Sequence, residues 1–177
     1  EVYCKIFTIK DFAFETAENN DVSESLLHYL ARWGSLPMLE FALEKIKKEF
    51  SHEELRNFIK LKNELGENVL HLAAMQNLNE KSIEFLVNFI ENEEVTRMLS
   101  ELSLSKHTPL HVAVQKNNLK VCTLFFSLYE RNLKQVEMLK LMRARDLNGN
   151  NIFHRLAGFS KSIEVFDFVW EKIEKLI

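Results

Sequence analysis

The chain has 177 residues, 46% hydrophobic and 28% charged, with 4 Gly and 2 Pro; it has the length of one ordinary domain, able to bury on the order of 70% of its unfolded surface. So few turn formers exclude a β-sandwich, and so much apolar sequence excludes a disordered tail. A formal charge of −3 gives no clustered excess of Lys and Arg, which removes the electrostatic footprint of a nucleic-acid binder.

Cys4 and Cys122 are too few and too far apart in sequence for the dense disulfide framework of a small secreted domain, and read as free thiols in a reducing compartment. The longest apolar runs, such as VCTLFFSLY, fall short of the ~20 residues that span a bilayer, and no basic stretch precedes an apolar one at the start. A cytoplasmic chain, with nuclear access open and no membrane insertion of this segment, is expected. It begins at Glu1 with no Met, as a piece of a longer or processed chain would.

In chain order, residues 1–22 stand apart as an N-terminal cap or extension. EVYCKIFTIKDFAF mixes β-branched and aromatic residues in imperfect alternation, which leaves a strand, an irregular cap or the end of a preceding module open. TAENNDVSE then reads as a polar turn. From residue 23 to 177 the chain repeats itself. ESLLHYLARWG, ENVLHLAAMQN, HTPLHVAVQKN and NNIFHRLAG align on His28, His71, His111 and His154, separated by 43, 40 and 43 residues.

Each unit breaks after its first apolar stretch, at Gly34, Asn77, Asn117 and Ser160. A second one follows: Leu36, Leu39 and Leu43; Ile83, Leu86 and Ile90; Val121, Leu124, Phe125 and Leu128; Ile163, Phe166 and Val169. Spacings of three and four place these side chains on one helix face, so each unit is a helical hairpin that needs its neighbours to bury that face. Thr108 and Pro109 start one such helix, a hydroxyl cap followed by a proline at the first helical position.

Extra residues precede each of the last three motifs. The triplets Leu55, Phe58 and Ile59, then Val95, Met98 and Leu99, then Met138, Leu141 and Met142, recur at one offset from the histidine. A short amphipathic helix packed on the array is expected at each place. Ser51 and Glu54 in SHEE have capping-box spacing for the first. The helical stretch FDFVWEKIEKLI closes the chain with an apolar edge.

TPLHVAV and GENVLHLAAMQN resemble the T-P-L-H-x-A signature of ankyrin repeats, and SLLHYLARWG and NGNNIFHRLAG resemble degenerate copies. The resemblance spans about residues 23–170 and implies an all-α ankyrin-repeat solenoid of about four helical hairpins, here with longer repeats and few of the usual turn glycines. It implies that the motif histidine and hydroxyl tie helix start and neighbouring loops together. That role falls on Thr108 with His111 and Ser25 with His28; Asn68 and Asn151 hold the hydroxyl position before His71 and His154.

Ankyrin proteins commonly hold partners on a concave strip. The residue after the histidine and those four and five after it would face that strip here: Tyr29, Arg32 and Trp33; Leu72, Met75 and Gln76; Val112, Gln115 and Lys116; and Arg155 with Phe159. Tyr, Trp, Phe, Met and Arg are favoured at protein interfaces, so these residues form the candidate partner-binding set. Among ankyrin proteins, NVLHLAA and TPLHVAVQKNNLKV are similar to NF-κB inhibitors and precursors, which implies a regulator of a Rel-type transcription factor. The alternative is an adaptor segment of a larger signalling or membrane-associated protein.

Catalysis and metal binding find no support in the residues. Four of the six histidines recur once per unit, as packing residues do, and Pro109 at a helix start spoils a two-ligand zinc face for His107 and His111. His52 sits in a charged helix. Cys122 lies in an apolar helix with no local base. Glu53/Glu54 and Glu93/Glu94 are adjacent, so they diverge on a helix, and LNGN at 147–150 lacks the glycines and lysine of a phosphate loop. No enzyme, cofactor or metal is expected.

Overall fold

The computed structural model describes residues 13, 16–19, 22–75, 80–159 and 162–177. β1 (Thr16–Asn19) and β2 (Val22–Ser25) form an antiparallel hairpin, in register from Thr16 opposite Ser25 to Asn19 opposite Val22. Eleven helices follow among these residues. The first unit holds α1 (Leu26–Trp33) and α2 (Leu36–Glu49). The second holds α3 (His52–Ile59), α4 (Val69–Met75) and α5 (Glu80–Phe89). The third holds α6 (Asn92–Ser100), α7 (Pro109–Gln115) and α8 (Leu119–Asn132). The fourth holds α9 (Gln135–Arg143), α10 (Ile152–Phe159) and α11 (Ile163–Glu174).

The helices stack in register. α1, α4, α7 and α10 form one row and α2, α5, α8 and α11 a second, each helix packed on its counterpart in the next unit. The core runs between the rows: Leu39, Leu43 and Ile46 of α2, Ile83 and Leu86 of α5, Val121, Cys122, Phe125 and Phe126 of α8, and Val165 and Val169 of α11 are all buried. These are the positions that helical spacing places on one face, and no unit could bury them alone.

The inserted helices form a third row. Phe58 and Ile59 of α3, Val95, Met98 and Leu99 of α6, and Met138 and Met142 of α9 are buried, with Leu55 and Leu141 partly so. The capping box of α3 is formed: Glu54 N donates to Ser51 Oγ at 3.3 Å and Ser51 N to Glu54 Oε2 at 2.8 Å. Arg56 of α3 and Lys60 just after it reach Glu91 and Glu94 at the start of α6, each at 3.1 Å. Tyr129 of α8, fully buried, donates its hydroxyl to Leu99 O at 2.6 Å and pins the end of α6.

The segment TAENNDVSE, expected as a polar turn, carries both strands, and the boundary drawn after residue 22 falls inside the hairpin. The physical reason lies at its end. Ser25 is both the last strand residue and the N-cap of α1, and Glu24 beside it is fully buried against Arg32 of α1 at 2.5 Å. That ion pair ties the end of the hairpin to α1, and no hydrophobic alternation announces it. Of the cap or extension expected over residues 1–22, residues 1–12, 14, 15, 20 and 21 lie outside the described residues.

Candidate functional site

Three five-residue turn loops lead into the first-row helices of units two to four, at 63–67, 103–107 and 146–150. Each closes on itself: Asn63 N donates to Glu67 O at 3.0 Å, Ser103 N to His107 O at 2.9 Å and Asp146 N to Asn150 O at 2.8 Å. The first side chain of each loop holds the turn. Asn63 Oδ1 accepts from Leu65 N and Glu67 N, Ser103 Oγ from His107 N, and Asp146 Oδ1 from Asn148 N and Asn150 N.

The loops also bond to each other, Leu104 N to Leu65 O at 2.8 Å and Leu147 N to Ser105 O at 3.4 Å. This ladder carries Leu65, Leu104 and Leu147 with 43, 67 and 66% of their surface exposed. Their signal was a leucine six or seven residues ahead of each of the last three motif histidines.

The motif histidines close the N-terminal ends of the first-row helices. Thr108 caps α7 by accepting from His111 N at 3.3 Å, while its own N–H and hydroxyl donate to His111 Nδ1 at 3.4 and 2.7 Å. Backbone N–H groups of Ser25, Asn68 and Asn151 donate likewise to His28, His71 and His154. In His71 the far side of the ring reaches the next loop, where Nε2 donates to His107 O at 2.9 Å. Burial, first of all, lowers His28, His71 and His111 to about 4, so the rings are neutral.

The expected strip is narrower than its spacing suggested. Leu72, Val112 and Arg155, one residue past the histidine, are buried, and Arg155 is turned to the preceding unit, where it meets Gln115 and His107. Every residue from Val69 to Ala74 of α4 and from Pro109 to Val114 of α7 is buried. What remains open lies at the C-terminal ends of the row: Trp33, Lys116 and Phe159 are exposed, and Tyr29, Met75 and Gln115 partly so. Arg32 is committed to Glu24, and Gln76 lies outside the described residues.

Arg155 is a clamp between units. Its Nε and Nη2 donate to Asp146 Oδ2 at 3.1 and 2.6 Å, its Nη1 to Gln115 Oε1 at 2.5 Å, and its Nη2 also to His107 Nε2. Burial pushes the Asp146 carboxyl up, but the N–H donors of Asn150 and Asn148 and the Arg155 guanidinium outweigh it and hold the group well below the usual carboxylate range. Burial and then Arg155 lower His107, against the pull of Asp146. Removing one partner from a buried pair of this kind costs about 3–5 kcal/mol, so the role is structural.

Burial pushes the Cys122 thiol up to about 12, which makes it unreactive. Among the described residues no group of three or more His, Cys, Asp or Glu is placed to hold a metal, and no helix is long and apolar enough to cross a membrane.

No curated protein gives a match to the chain. The family model described as ankyrin repeats (3 copies) matches residues 27–136, from α1 to the start of α9. The match takes in three of the stacked units and leaves α10 and α11, which repeat the same hairpin, beyond it. Covering more than half the sequence, and agreeing with capped first-row helices, stacked second-row helices and laddered turn loops, it places this chain in the ankyrin-repeat family, whose domains are generally non-catalytic modules for binding other proteins.

Proposed function

We propose that the chain holds a partner protein on its loop tips and on the C-terminal ends of its first-row helices, and that this partner is a Rel-type transcription factor, retained in the cytoplasm in the manner of an NF-κB inhibitor. The leading support is the leucine row. Leu65, Leu104 and Leu147 are exposed on loops fixed by their own turn bonds and by bonds to each other. An apolar row on a rigid ladder gives up little conformational freedom on binding, which favours affinity. Trp33 and Phe159 add exposed aromatic anchors of the kind that dominate interfaces. The Rel assignment rests on the similarity of NVLHLAA and TPLHVAVQKNNLKV to NF-κB inhibitor repeats.

Titration of purified Rel-homology domains tests both parts. Binding tighter than micromolar is expected. Leu104→Ser with Leu147→Ser, and separately Trp33→Ala with Phe159→Ala, should each weaken it about tenfold or more while leaving the thermal midpoint nearly unchanged. If no Rel-homology domain binds at micromolar concentration, the inhibitor reading fails and the adaptor reading takes its place. Binding that both double variants retain would move the site to another face.

A further inference from the structure

The sixth residue of three second-row helices is a phenylalanine, Phe41, Phe85 or Phe168, but in α8 it is Leu124. At the junction of α8 with α11 the phenylalanine fills the seam between the helices. Phe168 meets Phe126 of α8 edge-on at 5.5 Å, and Lys172 lies over its ring and pairs with Glu130 at 2.6 Å. At the junction of α5 with α8 the shorter leucine leaves the seam open. Leu124 lines two adjoining grooves of about 340 and 290 Å³, which also share Glu84 and Ser127. Both lie inside the array, between the second and third units.

Lys120 and Glu80, 3.2 Å apart, tie the starts of α5 and α8, so the two helices run side by side in register. Val87, Leu124 and Leu128 give the 290 Å³ groove an apolar floor. Glu84 and Arg131 stand toward its two ends, both exposed, and among the described residues neither has an ion-pair partner. Glu84 is the fifth residue of α5 and Arg131 the thirteenth of α8, which sets the charges about 12 Å apart along the groove at about 1.5 Å per residue. The hydroxyls of Thr123 and Ser127 donate within α8, to Leu119 O and Leu124 O, each at 2.8 Å. The walls therefore present apolar surface and two unmatched charges, with their backbone groups used inside the helices.

We propose that this groove receives an amphipathic helix of a partner protein, carrying an aromatic residue midway between a basic and an acidic residue two turns apart. The aromatic ring enters between Leu124 and Leu128 and fills the space that Phe168 fills at the next junction; a side chain of that kind in a pocket is the usual centre of an interface. The basic residue faces Glu84 and the acidic residue faces Arg131. A helix is the occupant because it satisfies its own backbone, whereas an extended segment would find no free donors or acceptors on helical walls. The site lies on the second row and not on the loop tips, so it stands or falls without the leucine row and the Rel assignment.

The probes are fluorescein-labelled, alanine-based peptides of about 18 residues, long enough to hold a helix, with lysine, phenylalanine and glutamate at four-residue intervals. They are titrated by anisotropy with the 177-residue chain. Saturable binding below millimolar concentration is expected, weakened about tenfold when alanine replaces the phenylalanine and several-fold when a second lysine replaces the glutamate. Leu124→Phe supplies the missing ring from the chain itself, and Ser127→Arg blocks the groove from an exposed position; each should abolish binding with helical signal retained. Arg131→Glu should reverse the preference, so that the peptide with two lysines binds more tightly. No saturation at millimolar concentration, binding that both blocking variants retain, or a preference that Arg131→Glu leaves unchanged overturns the proposal. Equal binding by a peptide with proline beside its phenylalanine identifies an extended segment as the occupant, and dimers in sedimentation that Ser127→Arg dissolves identify a second copy; either overturns it as well.

Discussion

A left-handed backbone recurs at the fourth position of the turn loops, where Gly66, Lys106 and Gly149 have φ of 70, 60 and 78°. Only glycine adopts it without its Cβ crowding the following carbonyl, a strain of about 1–2 kcal/mol for other residues. Lys106→Gly should therefore stabilise the protein, by about 0.5–1 kcal/mol once the greater freedom of glycine in the unfolded chain is deducted. Gly149→Ala should cost about 1 kcal/mol, since its Cβ would meet nothing within 4 Å and only the φ strain acts. Gly66→Ala should cost more, because its Cβ would stand 3.2 Å from Leu104 N and 3.3 Å from Leu104 Cγ. Urea unfolding of the three variants gives the order; equal losses for the two alanine variants would show that the loop ladder is not packed as described. Arg155 shows the limit of reading at this scale. Its spacing from His154 placed it on an open strip, but its surroundings are set by Asp146, Gln115 and His107 from other segments, which no local pattern reveals.

The third-row helices were the element most fully legible, because three apolar triplets at one offset from three histidines cannot arise from loops. The β-hairpin was the least legible, because its strands TAEN and VSES carry almost no apolar alternation and their tie to α1 is a Glu24–Arg32 ion pair, which no local pattern shows. Different forces hold α3, and single substitutions separate them. Ser51→Ala removes the acceptor for Glu54 N and should cost about 1 kcal/mol, the usual worth of an N-cap. Arg56→Ala removes a bridge to Glu91 in which both side chains are more than half exposed, so the loss should stay under about 0.5 kcal/mol. Phe58, fully buried and edge-on to Phe50 at 5.4 Å, should cost about 3–5 kcal/mol as Phe58→Ala. Thermal unfolding of the three variants checks the ranking. An Arg56→Ala loss as large as that of Ser51→Ala would mean that ion pairs, and not capping and burial, join the third row.

Across the whole molecule the array was legible because its period is written in histidines, while the path of its surface was not: burial of α4 and α7 on nearly every side depends on how units stack, not on any one unit's sequence. The same stacking sets the response to acid. His28, His71 and His111 each lie between one unit and the next, and burial lowers each from 6.5 to about 4. Between those values the unfolded chain binds up to three protons that the folded chain refuses, so stability rises with pH and is lost as pH falls from about 6.5 towards 4. Three protons correspond to a slope of about 4 kcal/mol per pH unit near pH 5. Glu67, raised by burial, opposes this in part, because it gains a proton more readily in the folded state. Asp146, held low by its donors, adds its own loss only below about pH 4, where its unfolded counterpart becomes protonated. Urea midpoints should thus fall steeply between pH 6.5 and 4.5, before ordinary carboxylates titrate, and His71→Gln should flatten that fall by about a third while lowering stability at neutral pH. A midpoint that stays level down to pH 4.5 would mean that the junction histidines exchange protons freely, and that the units are not packed tightly enough to exclude charge from the interfaces between them.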